Sequence, residues 1–134
     1  MKLDIQTHDA NGKPVSGPVS VKFKNGNLAL EGQLLNGIRV GTWTYYFLNG
    51  QKKSIGEFDK GKMNGPWVWY RESGKLMQSG AFDQEVRCGV WKRFDAKGNP
   101  YDEGRYEGEK KVGEWKSFKP DGTVKSVKTF KRKV

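Results

Sequence analysis

Large apolar side chains recur along this chain in short runs that alternate with polar residues, as in Thr42-Trp43-Thr44-Tyr45, and nowhere at the 3.6-residue spacing of an amphipathic helix. The runs are punctuated by Asn25-Gly26, Asn49-Gly50, Ser73-Gly74, Lys97-Gly98 and Asp121-Gly122. Asn-Gly and Asp-Gly between aromatic and β-branched runs are hairpin signals, because both central residues of a type I′ turn need positive φ. The pattern predicts strand, turn and link from residue 17 to residue 130, with almost no helix.

The punctuation is periodic. Trp43, Trp67, Trp91 and Trp115 stand 24 residues apart, each two positions after a glycine (Gly41, Gly65, Gly89, Gly113). With that glycine as position 0, +9 is glycine in every copy, +5 is Tyr46, Tyr70, Phe94 or Phe118, and +15 is Gly32, Gly56, Gly80 or Gly104. Position +17 is Leu34, Phe58, Phe82, Tyr106 and finally Phe130. A fixed period of this length denotes a repeat architecture. The units lie near residues 17–40, 41–64, 65–88, 89–112 and 113–134, after a frayed N-terminal partial unit at 1–16, and form a single domain.

If +8 and +9 make a two-residue turn, cross-strand partners sum to 17. Tryptophan at +2 then faces the glycine at +15, and the large residue at +17 faces the glycine at 0, so both rings would cover bare backbone. A valine at Gly56 or Gly80 would strike Trp43 or Trp67 across the hairpin. A three-residue loop with a bulge would move the register by one. Strand alternation sets +2, +4, +6, +15 and +17 on one face and +3, +5, +12 and +14 on the other, with Tyr101 at +12 in the core beside Phe94. The expected fold is all-β: an elongated single-layer antiparallel meander of β-hairpin repeats, about five units of 24 residues, with equivalent residues about 10 Å apart.

The pattern Gly-x-Trp-x-x-(Tyr/Phe)-x-x-x-Gly followed by Gly-x-(Tyr/Phe) resembles the MORN repeat, most closely the bacterial variant of the YwqK-family antitoxin proteins. Gly41-Thr42-Trp43 with Tyr46 and Gly56-Glu57-Phe58 carries it, as do Gly65-Pro66-Trp67 with Tyr70, Gly89-Val90-Trp91 with Phe94, and Gly113-Glu114-Trp115 with Phe118. The first unit departs from it, with Val19 and Lys22 in the tryptophan and tyrosine places, as expected of a capping unit. The resemblance implies a non-catalytic repeat ribbon and suggests an antitoxin-like role.

Charge adds a second feature. The net charge is +10, and residues 110–134 hold nine basic residues (Lys110, Lys111, Lys116, Lys119, Lys125, Lys128, Lys131, Arg132, Lys133) against Glu114 and Asp121. Such density attracts acidic protein, anionic lipid or nucleic acid, and lysines on an edge strand also guard an open sheet against end-to-end addition. The single cysteine, Cys88, excludes an internal disulfide and a cysteine-rich metal site, and no apolar run reaches membrane-spanning length. Met1-Lys2-Leu3-Asp4-Ile5 lacks the apolar core of a signal peptide, which points to the cytoplasm, although a removed export signal would leave the same start.

Catalysis finds little support. His8 is distant from Cys88, Asp83, Glu85, Asp102 and Glu103 read as surface charges, and Gly108 to Gly113 lacks a phosphate-loop ending. The expectation is no enzyme, no metal, no cofactor and no small-molecule substrate. The rings that exceed the repeat template are more informative: Tyr45, Phe47 and Trp69, with Arg71 and Arg93 in equivalent or neighbouring places, have the composition of a binding hot spot on the tryptophan face. The leading expectation is a scaffold that binds a protein partner there. Anionic-lipid or membrane-surface binding through the basic end is the alternative. Nucleic-acid binding comes third, because its rings and cations should interleave, and here they separate.

Overall fold

The computed structural model describes residues 5–131. Ten strands follow one another: β1 (Gly17–Lys22), β2 (Leu28–Leu35), β3 (Ile38–Tyr46), β4 (Lys52–Asp59), β5 (Lys62–Tyr70), β6 (Leu76–Asp83), β7 (Val86–Phe94), β8 (Pro100–Glu107), β9 (Lys110–Phe118) and β10 (Val124–Phe130). They form one antiparallel sheet in chain order, and the described residues contain no helix. The expected meander of hairpins is the observed fold.

Two kinds of turn alternate, and the type I′ turn was expected at the wrong one. At +6 to +10 the loop encloses three residues: the Phe47 N–H donates to Gln51 O (2.8 Å) and the Gly50 N–H to Phe47 O (3.0 Å), with equivalent pairs in the other units. Positive φ falls on the glycine alone (90° at Gly26 and Gly50), so Ser73 and Lys97 are tolerated in front of it. A bulge beside the loop, between Tyr45 and Tyr46 opposite Ser54 and Lys52, then restores the expected pairing of Trp43 with Gly56 and of Gly41 with Phe58. The two-residue turns lie between units instead. Asn36-Gly37 (φ 50°, 79°), Lys60-Gly61 (49°, 83°), Gln84-Glu85 (48°, 72°) and Gly108-Glu109 (55°, 71°) have the double positive φ of a type I′ turn.

The tryptophan ring covers a different glycine from the one expected. Gly56 pairs with Trp43 on one side and Trp67 on the other, and a Cβ there would run into the Trp67 indole. Gly32, Gly80 and Gly104 stand in the same relation to Trp43, Trp91 and Trp115. Each ring therefore lies on the preceding hairpin and joins two units, which corrects the strike on Trp43 or Trp67 expected within a hairpin. The backbone explains the choice. Gly56 pairs with Trp67 but Glu57 with Asn64, so Gly65 and Pro66 bulge out of β5, with Gly65 at φ 77°. This leaves the Glu57 carbonyl outside the ladder, and the Trp67 indole N–H donates to it (3.1 Å). Trp43 donates likewise to Gln33 O (3.2 Å) and Trp115 to Arg105 O (3.1 Å). At these part-buried positions each such bond contributes about 0.5–1.5 kcal/mol, so the indole supports the bulge as well as covering the glycine.

The +17 residues do not cover the position-0 glycines, since a Cβ at Gly41, Gly89 or Gly113 would meet nothing within 4 Å. They stand edge-on between successive tryptophans. The sequence Trp43, Phe58, Trp67, Phe82, Trp91, Tyr106, Trp115, Phe130 is one continuous row, with ring centroids 5.1–6.5 Å apart and planes at 77–87°. Edge-to-face pairs of this geometry contribute about 0.5–1.5 kcal/mol each beyond their burial. At the first unit the row closes on aliphatic side chains: Leu30, Leu34 and Trp43 are buried together, with Ile5, Val15, Val19, Val21, Tyr45 and Phe58 against them.

Candidate functional site

The face that carries the tryptophan row is built by strand alternation, so +4 and +13 project beside +2 and +15. Tyr45 and Trp69, both at +4, stand on this face as expected. Tyr45 stacks on Trp43 (6.3 Å, 28°), and Trp69 stacks on Trp67 (6.0 Å, 29°) and on Trp91 (5.5 Å, 30°). Both are half-buried, so these rings also help hold the row together. Burial pushes the Tyr45 hydroxyl pKa up, against the opposing charge of Arg39. Phe47 opens a loop with the Lys53 ammonium over its ring (5.9 Å). Arg71 reaches across to the next unit, donating from Nη2 to Phe94 O (2.9 Å).

Arg93 is the best-defined member. Its guanidinium grips Asp102 in a two-pronged pair, Nε donating to Oδ1 at 2.9 Å, and lies over the Tyr101 ring (5.1 Å). The Asp102 bond raises the Arg93 pKa and keeps the charge permanent. Tyr101 corrects the expectation of a core residue beside Phe94. It is the extra residue of the bulge between the Arg93–Asp102 and Phe94–Pro100 pairs, and it is 52% exposed. An extra residue at a bulge breaks strict alternation, which is why +12 does not follow the opposite face.

Position −2 carries cations that were not singled out from the sequence. Arg39 lies over Trp43 (5.1 Å) and Phe58 (5.5 Å), Arg87 over Tyr106 (4.5 Å) and Trp91 (5.9 Å), and Lys111 over Trp115 (4.6 Å) and Phe130 (5.7 Å). Three of the four residues at this period are basic, with Met63 the exception, so the 24-residue spacing itself was the missed signal. Arg87 is further held by Glu109, whose Oε2 accepts from Nε at 2.8 Å. Glu109 has its own pKa lowered, first by the Arg87 backbone N–H and then by the guanidinium.

The basic C-terminal residues do not gather into one patch. Lys111 and Lys128 lie on the tryptophan face, the latter over Phe130 (5.2 Å), whereas Lys116 stands on the opposite face in register with Glu103. Lys119 opens the last loop, Lys125 sits at the last bulge, Lys110 begins β9 and Lys131 follows β10. Arg132 and Lys133 lie outside the described residues. The opposite face has shallow open grooves behind Gly32, Gly56 and Gly104.

Several of the groups considered for catalysis have structural partners. His8 bridges to Pro14 beside the β2–β3 turn, with several strands between it and Cys88 in β7, whose carbonyl accepts the Trp91 indole N–H (3.0 Å). Glu85 accepts the Met63 N–H (2.7 Å), Glu103 lies 4.0 Å from Lys92, and Asp102 holds Arg93. Among the described residues no group of His, Cys, Asp or Glu is arranged to hold a metal ion.

The family description "MORN repeat variant" matches residues 39–60, 63–84 and 111–132. Each match begins at position −2 and spans one hairpin, and the intervening β7–β8 hairpin repeats the same tryptophan, bulge and cation contacts. The chain is a MORN-type repeat protein. No curated protein matches it significantly. MORN repeats commonly serve as binding or scaffold modules, and the ribbon fits that class.

Proposed function

We propose that this protein is a non-enzymatic scaffold that binds a protein partner through the tryptophan face, between Tyr45 and Arg93. The observation that carries this reading is a strip formed by Tyr45, Trp69, Arg93 and Tyr101 on β3, β5, β7 and β8 of one sheet, with Phe47 and Arg71 at the start of the loops that follow β3 and β5. Tyrosine, tryptophan and arginine at a half-exposed, well-packed surface are the residues that anchor protein interfaces. Each cation is already oriented by a carboxylate, a carbonyl or a ring, so little side-chain entropy is lost when a partner arrives. An antitoxin would be one protein of this kind, its partner the toxin. The basic end supports a second reading, adhesion to an anionic lipid surface, but its lysines divide between two faces, and a planar membrane meets only one.

The test is capture of binding proteins by the immobilised chain, repeated with Trp69→Leu plus Arg93→Gln on the tryptophan face and Lys92→Gln plus Lys116→Gln on the other. A partner lost with the first pair and kept with the second supports the reading. Capture that ignores the first pair, together with salt-sensitive co-sedimentation with anionic vesicles, overturns it.

A further inference from the structure

The tryptophan face contains a partly enclosed recess of about 190 Å³ over β6 to β9. Trp91, Tyr106 and Trp115 line it, and Arg87, Arg93 and Lys111 ring it. Gln78 adds an amide, and Asp102 is the one carboxylate in the lining. A space of this size admits a single small group and falls short of the roughly 300–1,000 Å³ of pockets that take drug-sized ligands or cofactors.

The cations are positioned but not used up. Arg87 is tethered through Nε to Glu109 (2.8 Å) and through Nη1 to the Tyr106 hydroxyl (3.3 Å), and Arg93 through Nε and Nη2 to Asp102. A guanidinium has five N–H donors, so each retains some for another acceptor. Lys111 stands above the Trp115 ring (4.6 Å), and among the described residues no carboxylate pairs with it. With Glu109 paired to Arg87 and Asp102 to Arg93, the three cations leave one uncompensated positive charge, that of Lys111.

We propose that this recess receives a carboxylate side chain from an acidic segment of the protein partner. The inference rests on the reading of the tryptophan face as the binding surface and specifies the chemistry of what binds. Charge complementarity and the paired N–H edges of two arginines select an anion. The single negative charge of a carboxylate suits the site better than a phosphate dianion, because Asp102 faces the same space and repels the second charge. A recess floored by buried rings also suits a side chain projecting from a peptide more than a flat lipid surface.

The experiment titrates the isotope-labelled full chain with capped tetraglutamate, with inorganic phosphate and capped tetralysine as comparison probes, following the side-chain N–H signals of Arg87, Arg93, Trp91 and Trp115. Tetraglutamate is expected to shift these signals saturably and more strongly than phosphate. Lys111→Gln should weaken that binding about fivefold, and Lys116→Gln, which removes the same charge from the opposite face, less than about twofold. Arg93→Lys, which keeps the charge and loses the fork, should also weaken it. Equal effects of the two lysine variants, tighter binding of phosphate, or the absence of saturable shifts at Arg87 and Arg93 would each overturn the proposal. A captured partner lost with Trp69→Leu plus Arg93→Gln but held at wild-type strength by Lys111→Gln leaves the face in place and removes the carboxylate site. Tetraglutamate binding without any such partner leaves the carboxylate site in place and removes the protein-scaffold reading.

Discussion

Substitution of Gly56 by alanine tests how the units are joined. The added Cβ would overlap the Trp67 indole at its ring-fusion bond, and the ring must shift away from the strand. Overpacking of this kind costs about 1–3 kcal/mol. A displaced indole also gives up its bond to the Glu57 carbonyl, a part-buried acceptor, at the roughly 0.5–1.5 kcal/mol of one net hydrogen bond. The two terms together come to about 1.5–4.5 kcal/mol, reduced by the roughly 0.5–1 kcal/mol that alanine contributes over glycine through chain entropy, which leaves about 2 kcal/mol at mid-range. The decisive measurement is a double-mutant cycle by urea unfolding. In a Trp67→Leu background the penalty should fall by at least about 1 kcal/mol, whereas in a Trp43→Leu background it should stay within about 0.5 kcal/mol of its original value. Rescue by Trp43→Leu instead, or no penalty at all, would refute the join across the unit boundary. Because a ribbon unfolds by nearest-neighbour terms, the loss should appear as earlier unfolding around β4 and β5 rather than uniformly.

Other expectations follow from the same contacts. Lys128 occupies the +15 place on β10, where no later tryptophan lies over it, so Lys128→Ala should change stability by less than about 0.5 kcal/mol. The Tyr46 hydroxyl donates to Glu31 Oε1 (2.6 Å), and this bond, with burial and the Glu31 charge, pushes its pKa up to about 12 from the ordinary 10.0. Since the folded value is the higher one, that stability is complete below pH 10 and is lost as pH rises through about 12; Tyr46→Phe should lose less stability over this window, measured by alkaline melting. Glu109 has the opposite sign. Its pKa lies below the ordinary 4.5, so its contribution is present above that pH and disappears as pH falls through the folded value, and Glu109→Gln should flatten that part of the acid limb.

Much of the fold was legible because glycine and tryptophan keep one register over the chain. The pairing of Trp43 with Gly56 and of Gly41 with Phe58 could be read from hairpin arithmetic alone. The turn type was misplaced because Asn-Gly draws attention to +8 and +9, whereas the inter-unit turns include Gln84-Glu85, which has no glycine and is held by Gln84 donating its backbone N–H to Asn64 Oδ1 and its side-chain amide to Asp59 Oδ2. Of the candidate site, Tyr45, Trp69 and Arg93 were placed on the correct face by alternation. Tyr101 was not, because a bulge changes the side-chain period at one residue, and the ring-covering cations at −2 went unnoticed because the strands that hold them, β3, β7 and β9, begin before the position-0 glycine from which each unit was counted.

The claim that the tryptophan face binds a protein is tested most directly by association kinetics of a captured partner with two variants. Truncation of Trp69 to alanine, in protein confirmed folded by circular dichroism, is predicted to cost about 2 kcal/mol or more of affinity, chiefly through faster dissociation. Changing Lys128, Lys131, Arg132 and Lys133 to glutamine is predicted to slow association and soften its salt dependence, with dissociation nearly unchanged. Binding that survives Trp69→Ala and vanishes with the lysine and arginine changes would contradict the account.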